Sequence, residues 1–194
     1  MLRNSFARGP EGWCSYDYHA SIVTGRNVFI LATWEKEGGV ANSGYVWVDH
    51  TRWSADTPEK PLSILPLLLY RSWVNADAID LRDAEVSVYL RGDNLRLDGA
   101  QCFFWIHGVG GRWHYTSHPL SISDAGWSSA PLRFSLQNDE QLWHHSWPRD
   151  PNTSRSLESI LGQVLSYGFS FVGFSSEVSG RLCMGEFEIK LPEG

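Results

Sequence analysis

The chain has few of the features that assign a function outright. It has three cysteines, Cys14, Cys102 and Cys183, in 194 residues. They are too few and too scattered for a disulfide framework or a zinc site, both of which need paired or closer spacing. Buried free thiols are the expectation, with a single bridge between two of them as the alternative. No cluster of Lys or Arg interrupts a chain of net charge −6, so the electrostatic footprint of a nucleic-acid or anionic-membrane partner is missing. The longest apolar run, Leu62 to Tyr70, contains Ser63 and Pro66 and is too short to span a bilayer. Behind the basic residues of Met1 to Arg8 there is no apolar signal core, so the default expectation is a cytoplasmic protein. Nucleotide and nucleophile motifs are absent too: no G-x-S-x-G elbow, no phosphate loop and no G-x-G-x-x-G. Gly108-Val-Gly110 lies between two strand-like segments and reads as a hairpin turn.

Aromatics are abundant, at 13% of residues with ten Trp. Indole combines a flat apolar face with one polar handle, so such a chain either fills its core with indoles or presents some to a ligand. The length fits one domain, residues 1–194, because all-β sandwiches reach this size undivided.

Along the chain the dominant period is two. Residues 1–12 carry no periodicity and are expected to be a surface arm. Strands are expected in Trp13–His19, Asn27–Trp34 and Gly44–Asp49, the last two as a hairpin. A polar loop is marked by Asp56-Thr-Pro58 and Lys60-Pro61. Pro66 then forces a bulge or a strand entry inside Ser63–Trp73. Val86, Val88 and Leu90 alternate with Ser87, Tyr89 and Arg91, and Gly92-Asp93-Asn94 is expected to end that strand. Gln101–His107 and Arg112–Thr116 form a second hairpin across the glycines. Shorter strands are expected at His118–Ser123 and Pro131–Leu136, and a long polar loop at Gln137–Ser156.

Leu157, Ile160, Leu161 and Val164 fall on one face of a short helix that Ser154 or Ser156 would cap. The strand Ser166–Phe174 and a closing strand to Leu191 follow. In the closing strand the apolar residues change from even positions, Leu182 and Met184, to odd ones, Phe187, Ile189 and Leu191. A strand cannot change face without an extra residue, so Gly185-Glu186 is expected to be a bulge. Many strands, one short helix near the C-terminus and no β-α-β rhythm define an all-β, two-sheet antiparallel sandwich.

The segments Glu85–Arg91, Gly99-Ala-Gln-Cys-Phe-Phe-Trp105, Ser166-Tyr-Gly-Phe-Ser-Phe171 and Gly180–Ile189 resemble the galactose-binding-like jelly roll, the fold of many bacterial carbohydrate-binding modules. The resemblance runs from about Leu62 to the end and implies a non-catalytic sugar-binding module. It also implies a structural calcium ligated near the start of the last strand, which here is Glu186, where the family pattern usually has Asp. Sugar rings stack on indole, and their hydroxyls need polar partners. The expected ligand surface is Arg91, Trp105, His107, Trp113, Tyr115 and Trp127, with Trp143 to Trp147 as a further loop candidate; packing in the core is the competing reading for each indole. Two other functions stay open. Arg91, His107, His114 and Tyr115 would make a lyase-like set for an enzyme acting on a polysaccharide or glycoconjugate, a lyase or hydrolase. Exposed indoles would otherwise be hot spots for a protein partner.

Overall fold

The computed structural model describes residues 1–26, 28–55, 63–124, 126–146, 155–175 and 177–192. Outside them lie Asn27, the loop punctuated by Pro58 and Pro61, and the loop indole Trp147. The strands of the first half are β1 (Leu2–Asn4), β2 (Trp13–Tyr16), β3 (Phe29–Leu31), β4 (Thr33–Glu35), β5 (Tyr45–Asp49), β6 (Ser54–Ala55) and β7 (Ser63–Tyr70). The second half adds β8 (Glu85–Arg96), β9 (Gln101–Gly108), β10 (Gly111–His114), β11 (Leu132–Ser135), β12 (His144–Ser146), β13 (Ser166–Val172) and β14 (Ser179–Lys190). Two short helices accompany them, α1 (Tyr18–Thr24) and α2 (Leu157–Leu161). None is long and apolar enough to cross a membrane.

The strands form two antiparallel sheets. A six-stranded sheet runs β11-β8-β14-β5-β4, with β1 also on β14; an eight-stranded sheet runs β12-β10-β9-β13-β7-β2-β3, with β6 on β7. The last two strands therefore sit inside different sheets, β13 between β9 and β7 and β14 between β8 and β5. One continuous core joins the sheets. Val86, Val88, Leu90, Leu182, Met184 and Phe187 from one face Leu67, Phe104, Ile106, Tyr167 and Phe169 from the other. The period-two alternation read from the sequence places Val86, Val88, Leu90, Phe104, Ile106 and Phe169 inward.

Both expected bulges are present. Leu67 pairs with Phe169 and Ile64 with Phe171, so Leu65 and Pro66 together oppose Ser170. In β14 the register jumps between Met184 and Phe187, which puts Leu182, Met184, Phe187 and Ile189 all in the core. α2 is capped by Ser156, whose hydroxyl accepts from the Ser159 amide at 3.4 Å.

Several expectations are corrected. Residues 1–12 are no loose arm: Leu2 pairs with Ile189 in β1, and Phe6 is wholly buried. A three-residue strand is too short to show a period, so it was invisible in the sequence. The Asn27–Trp34 segment changes sheets at Ala32, giving β3 to one sheet and β4 to the other. Gly92-Asp93-Asn94 does not end β8, which continues to Arg96 with Asn94 at positive φ. The Gln137–Ser156 segment contributes β12, an edge strand on β10. His118–Ser123 makes only single bridges, Leu120 to Cys102 and Ser123 to Arg91. α1, after β2, has no counterpart in the sequence reading.

The three thiols are free and buried. Burial raises all three, Cys14 and Cys183 to about 12. At pH 8 only about one in 10,000 of a thiol at that value is ionised, and the thiolate is the reactive species. The native protein is therefore expected to give almost no colour with a thiol-reactive disulfide reagent at pH 8, and three equivalents once denatured. A full equivalent released rapidly from the native state would contradict this burial.

Candidate functional site

The outer face of the eight-stranded sheet is set by its registers, because directly paired residues point the same way. Phe29 pairs with Tyr16, and Leu68 with both Cys14 and Gly168. Tyr70 pairs with Ser166, Gly168 with Trp105, Ser166 with His107, and His107 with Arg112. The side chains on this face form a second apolar cluster, Cys14, Leu65, Leu68 and Trp105, flanked by Tyr16, Phe29 and Tyr70.

All of these but Cys14 line a cleft of about 530 Å³, within the usual range for ligand sites. Its aromatic wall is continuous: Phe29 lies 5.4 Å from both Tyr16 and Tyr70, and 4.7 Å from Trp73 beyond them. The floor is Leu65, Leu68 and Trp105. Gly168, opposite Trp105, has no side chain on this face, so the indole can lie across β13 and donate to the Phe169 carbonyl at 2.9 Å. The polar end is His107, Ser166 and Arg112 beside the Gly108–Gly111 turn. The Arg112 guanidinium sits 5.1 Å from the centre of the Trp105 ring, a cation–π arrangement.

The structure unites only two of the expected ligand residues in this cleft, Trp105 and His107. Trp105 is 2% exposed and forms the floor, not an open platform. Trp113 and Tyr115 point the other way. Trp113 pairs with Ile106, a core residue, and stacks on His145 at 4.3 Å; Tyr115 packs in the core against Trp143 at 4.6 Å. The sequence reading set Trp113 beside Trp105, but the Gly111–Gly108 pairing puts Arg112 and His114 on that face.

Arg91 and Trp127 do meet, on the outer face of the other sheet. Arg91 lies 4.5 Å from the Trp127 ring and 5.0 Å from Tyr45, and donates twice to Asp93 at 2.9 and 3.1 Å. The Trp127 indole donates to the Gly38 carbonyl at 2.8 Å. Each polar group there already has a protein partner. The lyase-like set is dispersed accordingly: Arg91 on one sheet, Tyr115 in the core, His107 in the cleft. His114 is on the cleft side but buried, held at 2.8 Å by each of Ser170 and Ser146. Desolvation first, and then the charges of Arg112 and His144, hold it well below the ordinary histidine value of 6.5.

Glu186 sits at the bulge, as expected, but its carboxylate bonds Arg3 at 3.2 Å. Calcium needs about six to eight oxygen ligands. Among the described residues no three His, Cys, Asp or Glu side chains cluster to hold an ion, and a guanidinium beside Glu186 opposes a cation. These residues do not fit a calcium.

The cleft residues that sequence reasoning missed are Tyr16, Phe29, Tyr70, Ser166 and Arg112. Tyr16 and Phe29 belonged to strands that were recognised, but only the β2–β3 and β2–β7 pairings bring them beside Tyr70.

No protein-family model and no curated protein matches this chain. Among solved structures it is similar to CtCBM11 in solution, at 12% identity over 97% of this chain and 93% of that one, with a TM-score of 0.50. It is also similar to the family 11 carbohydrate-binding module from Clostridium thermocellum in complex with a β-1,3-1,4-mixed-linked tetrasaccharide, at 10% identity over 80% of each chain and a TM-score of 0.46. A third is CBM28, a non-crystalline cellulose specific module, at 14% identity over 98% and 93%, with a TM-score of 0.44. The likeness to CtCBM11 joins the two antiparallel sheets in defining the class: an all-β jelly-roll sandwich.

Proposed function

We propose that this protein is a non-catalytic carbohydrate-binding sandwich that takes its saccharide in the cleft on the outer face of the eight-stranded sheet. One observation carries the reading: a continuous aromatic wall, Tyr16, Phe29 and Tyr70, lines the same cleft as a polar group of His107, Ser166 and Arg112. Sugar C–H faces pack on the rings, and hydroxyls bond to the imidazole, hydroxyl and guanidinium groups.

Calorimetric titration with a panel of neutral and acidic oligosaccharides, the mixed-linked tetrasaccharide included, tests it. Tyr70→Ala is expected to weaken binding about tenfold, roughly 1.4 kcal/mol, and Trp127→Ala on the opposite sheet to leave it unchanged. The bound saccharide is expected to be recovered uncleaved. Absence of binding across the panel at millimolar concentration, or Tyr70→Ala binding as tightly as the parent, would overturn the proposal.

A further inference from the structure

We infer that the saccharide held in this cleft carries an apolar substituent, an aryl or alkyl group, that lies over Phe29, Leu31 and Trp73. The inference rests on the cleft being the saccharide site, and it adds the amphiphilic character of the ligand.

The registers divide this face of the sheet into rows. Arg112, His107, Ser166 and Tyr70 lie side by side across β10, β9, β13 and β7. Two residues along each strand, the next row is Trp105, Gly168, Leu68, Cys14 and Leu31, from β9 to β3. The first row is polar up to the Tyr70 ring, and the second is apolar.

Hydrogen bonding within the apolar row is internal to the protein. The Cys14 thiol donates to the Leu68 carbonyl at 3.4 Å, and the Trp105 indole to the Phe169 carbonyl at 2.9 Å. Leu68, Leu31 and the neighbouring Leu65 and Phe29 have no polar side-chain atom. A sugar ring placed here would desolvate its hydroxyls without replacing their hydrogen bonds, which opposes binding. An aryl or alkyl group meets no such penalty and gains from leaving water. The polar row differs: the Ser166 hydroxyl donates to the Leu69 carbonyl at 2.9 Å, so it serves a sugar hydroxyl as acceptor.

Exposure is the second argument. Among the described residues the exposed large hydrophobics are Met1, Val23, Leu31, Trp73, Val74 and Val109. Two of them flank Phe29, which lines the cleft. Leu31, 49% exposed, is two residues from Phe29 on the same face of β3; Trp73, 40% exposed, has its ring 4.7 Å from Phe29. Contiguous exposed apolar surface beside a cleft marks a place that a ligand covers. Leu31 offers no aromatic face for a sugar ring to stack on, whereas an aryl or alkyl group covers leucine and indole alike.

Tyr70 joins the two parts. It is paired with Ser166 in the polar row, and its ring stacks 5.4 Å from Phe29. A sugar over Tyr70 therefore has Ser166 on one side and Phe29 on the other. The substituent is accordingly attached to that sugar directly, as the aglycone of a glycoside is.

The test titrates the intact protein by calorimetry with methyl, phenyl and octyl glycosides of several mono- and disaccharides, the octyl forms kept below micelle-forming concentrations. For at least one sugar the phenyl or octyl form is expected to bind about 10- to 100-fold more tightly than the methyl form. That is the gain from burying roughly 60–110 Å² of apolar surface. The tighter form should also bind with a more negative heat-capacity change. A preference for phenyl identifies an aryl-substituted saccharide, and a preference for octyl a lipid-linked one. Leu31→Ser combined with Trp73→Ser, both at exposed positions, should bring the ratio to within about threefold. The comparison of ligands on the parent protein needs no variant, so it decides the matter even if the double variant fails to fold. Equal binding of the three forms of every sugar, their common failure included, overturns the inference, as does an undiminished ratio in the double variant. The carbohydrate reading then stands or falls by the oligosaccharide panel alone. Phenol or octanol binding as tightly as its glycosides would overturn the carbohydrate reading itself.

Discussion

Trp13→Ala is expected to lower the unfolding free energy by about 3–5 kcal/mol, the cost of removing a large aromatic from a filled core. Trp13 is wholly buried at the meeting of the two sheets. Its ring lies 4.9 Å from Phe187 of one sheet and 6.0 Å from both Tyr167 and Phe169 of the other. Its indole N–H donates to the Asn4 side chain at 3.1 Å, so the same residue ties β1 to the sandwich. Alanine leaves a cavity between the sheets and removes the donor that orients Asn4. Urea unfolding should show a lower midpoint at an unchanged slope. Trp13→Phe, which keeps most of the ring contact, should lose less, and the part due to the Asn4 bond is about 1 kcal/mol. A loss below about 1 kcal/mol for the alanine variant would refute this account of the core.

Acidification below pH 6.5 is expected to destabilise the fold through His114. The folded protein holds this imidazole well below 6.5 because the charged form would be desolvated and would face Arg112 and His144. In the unfolded chain the ring takes up a proton near 6.5. Between those two values the unfolded state binds more protons than the folded one, so stability rises with pH. The contribution is complete above 6.5 and is lost as pH falls from 6.5 toward the folded value, at up to about 1.4 kcal/mol per pH unit. His145 is displaced in the same direction, by desolvation first, and adds to the slope. Asp49 and Asp80 are held low by hydrogen bonds to Thr51 and Arg82, so they act below 3.8. The interval from pH 6.5 to about 4.5 therefore isolates the histidines. Thermal unfolding across it should show a clear fall in midpoint for the parent and a smaller fall for His114→Gln, whose amide can bond Ser146 and Ser170 without titrating. Identical pH profiles for the two proteins would rule out His114 as the source.

The class of fold was legible from local pattern. Alternation in Val86–Arg91, Cys102–His107 and Phe169–Val172 defines which residues enter a core, and that pattern needs no partner to be read. Both bulges were legible for the same reason: Pro66 cannot supply a ladder donor, and the change of parity after Met184 demands an extra residue. The short helix was marked by its 3.6-residue spacing and its Ser156 cap.

The candidate site was legible only in part, for a physical reason. Period two separates two faces of a strand but does not say which strands are neighbours or how they are offset. Trp113 and Arg112 are adjacent in sequence, and the pairing of Gly111 with Gly108 alone decides that Arg112 enters the cleft while Trp113 enters the core. Arg91 and Trp105 both looked like ligand groups, yet β8 and β9 belong to opposite sheets. Tyr16, Phe29 and Tyr70 lie far apart along the chain and become one wall only through long-range pairing.

By itself, then, the sequence determined an aromatic-rich antiparallel sandwich, because inward and outward positions follow from the geometry of a single strand. Only the tertiary structure decided which aromatics share a surface, and that the surface carries an arginine and no carboxylate among its described residues, because neighbours across a sheet are set by registers between segments distant in the chain.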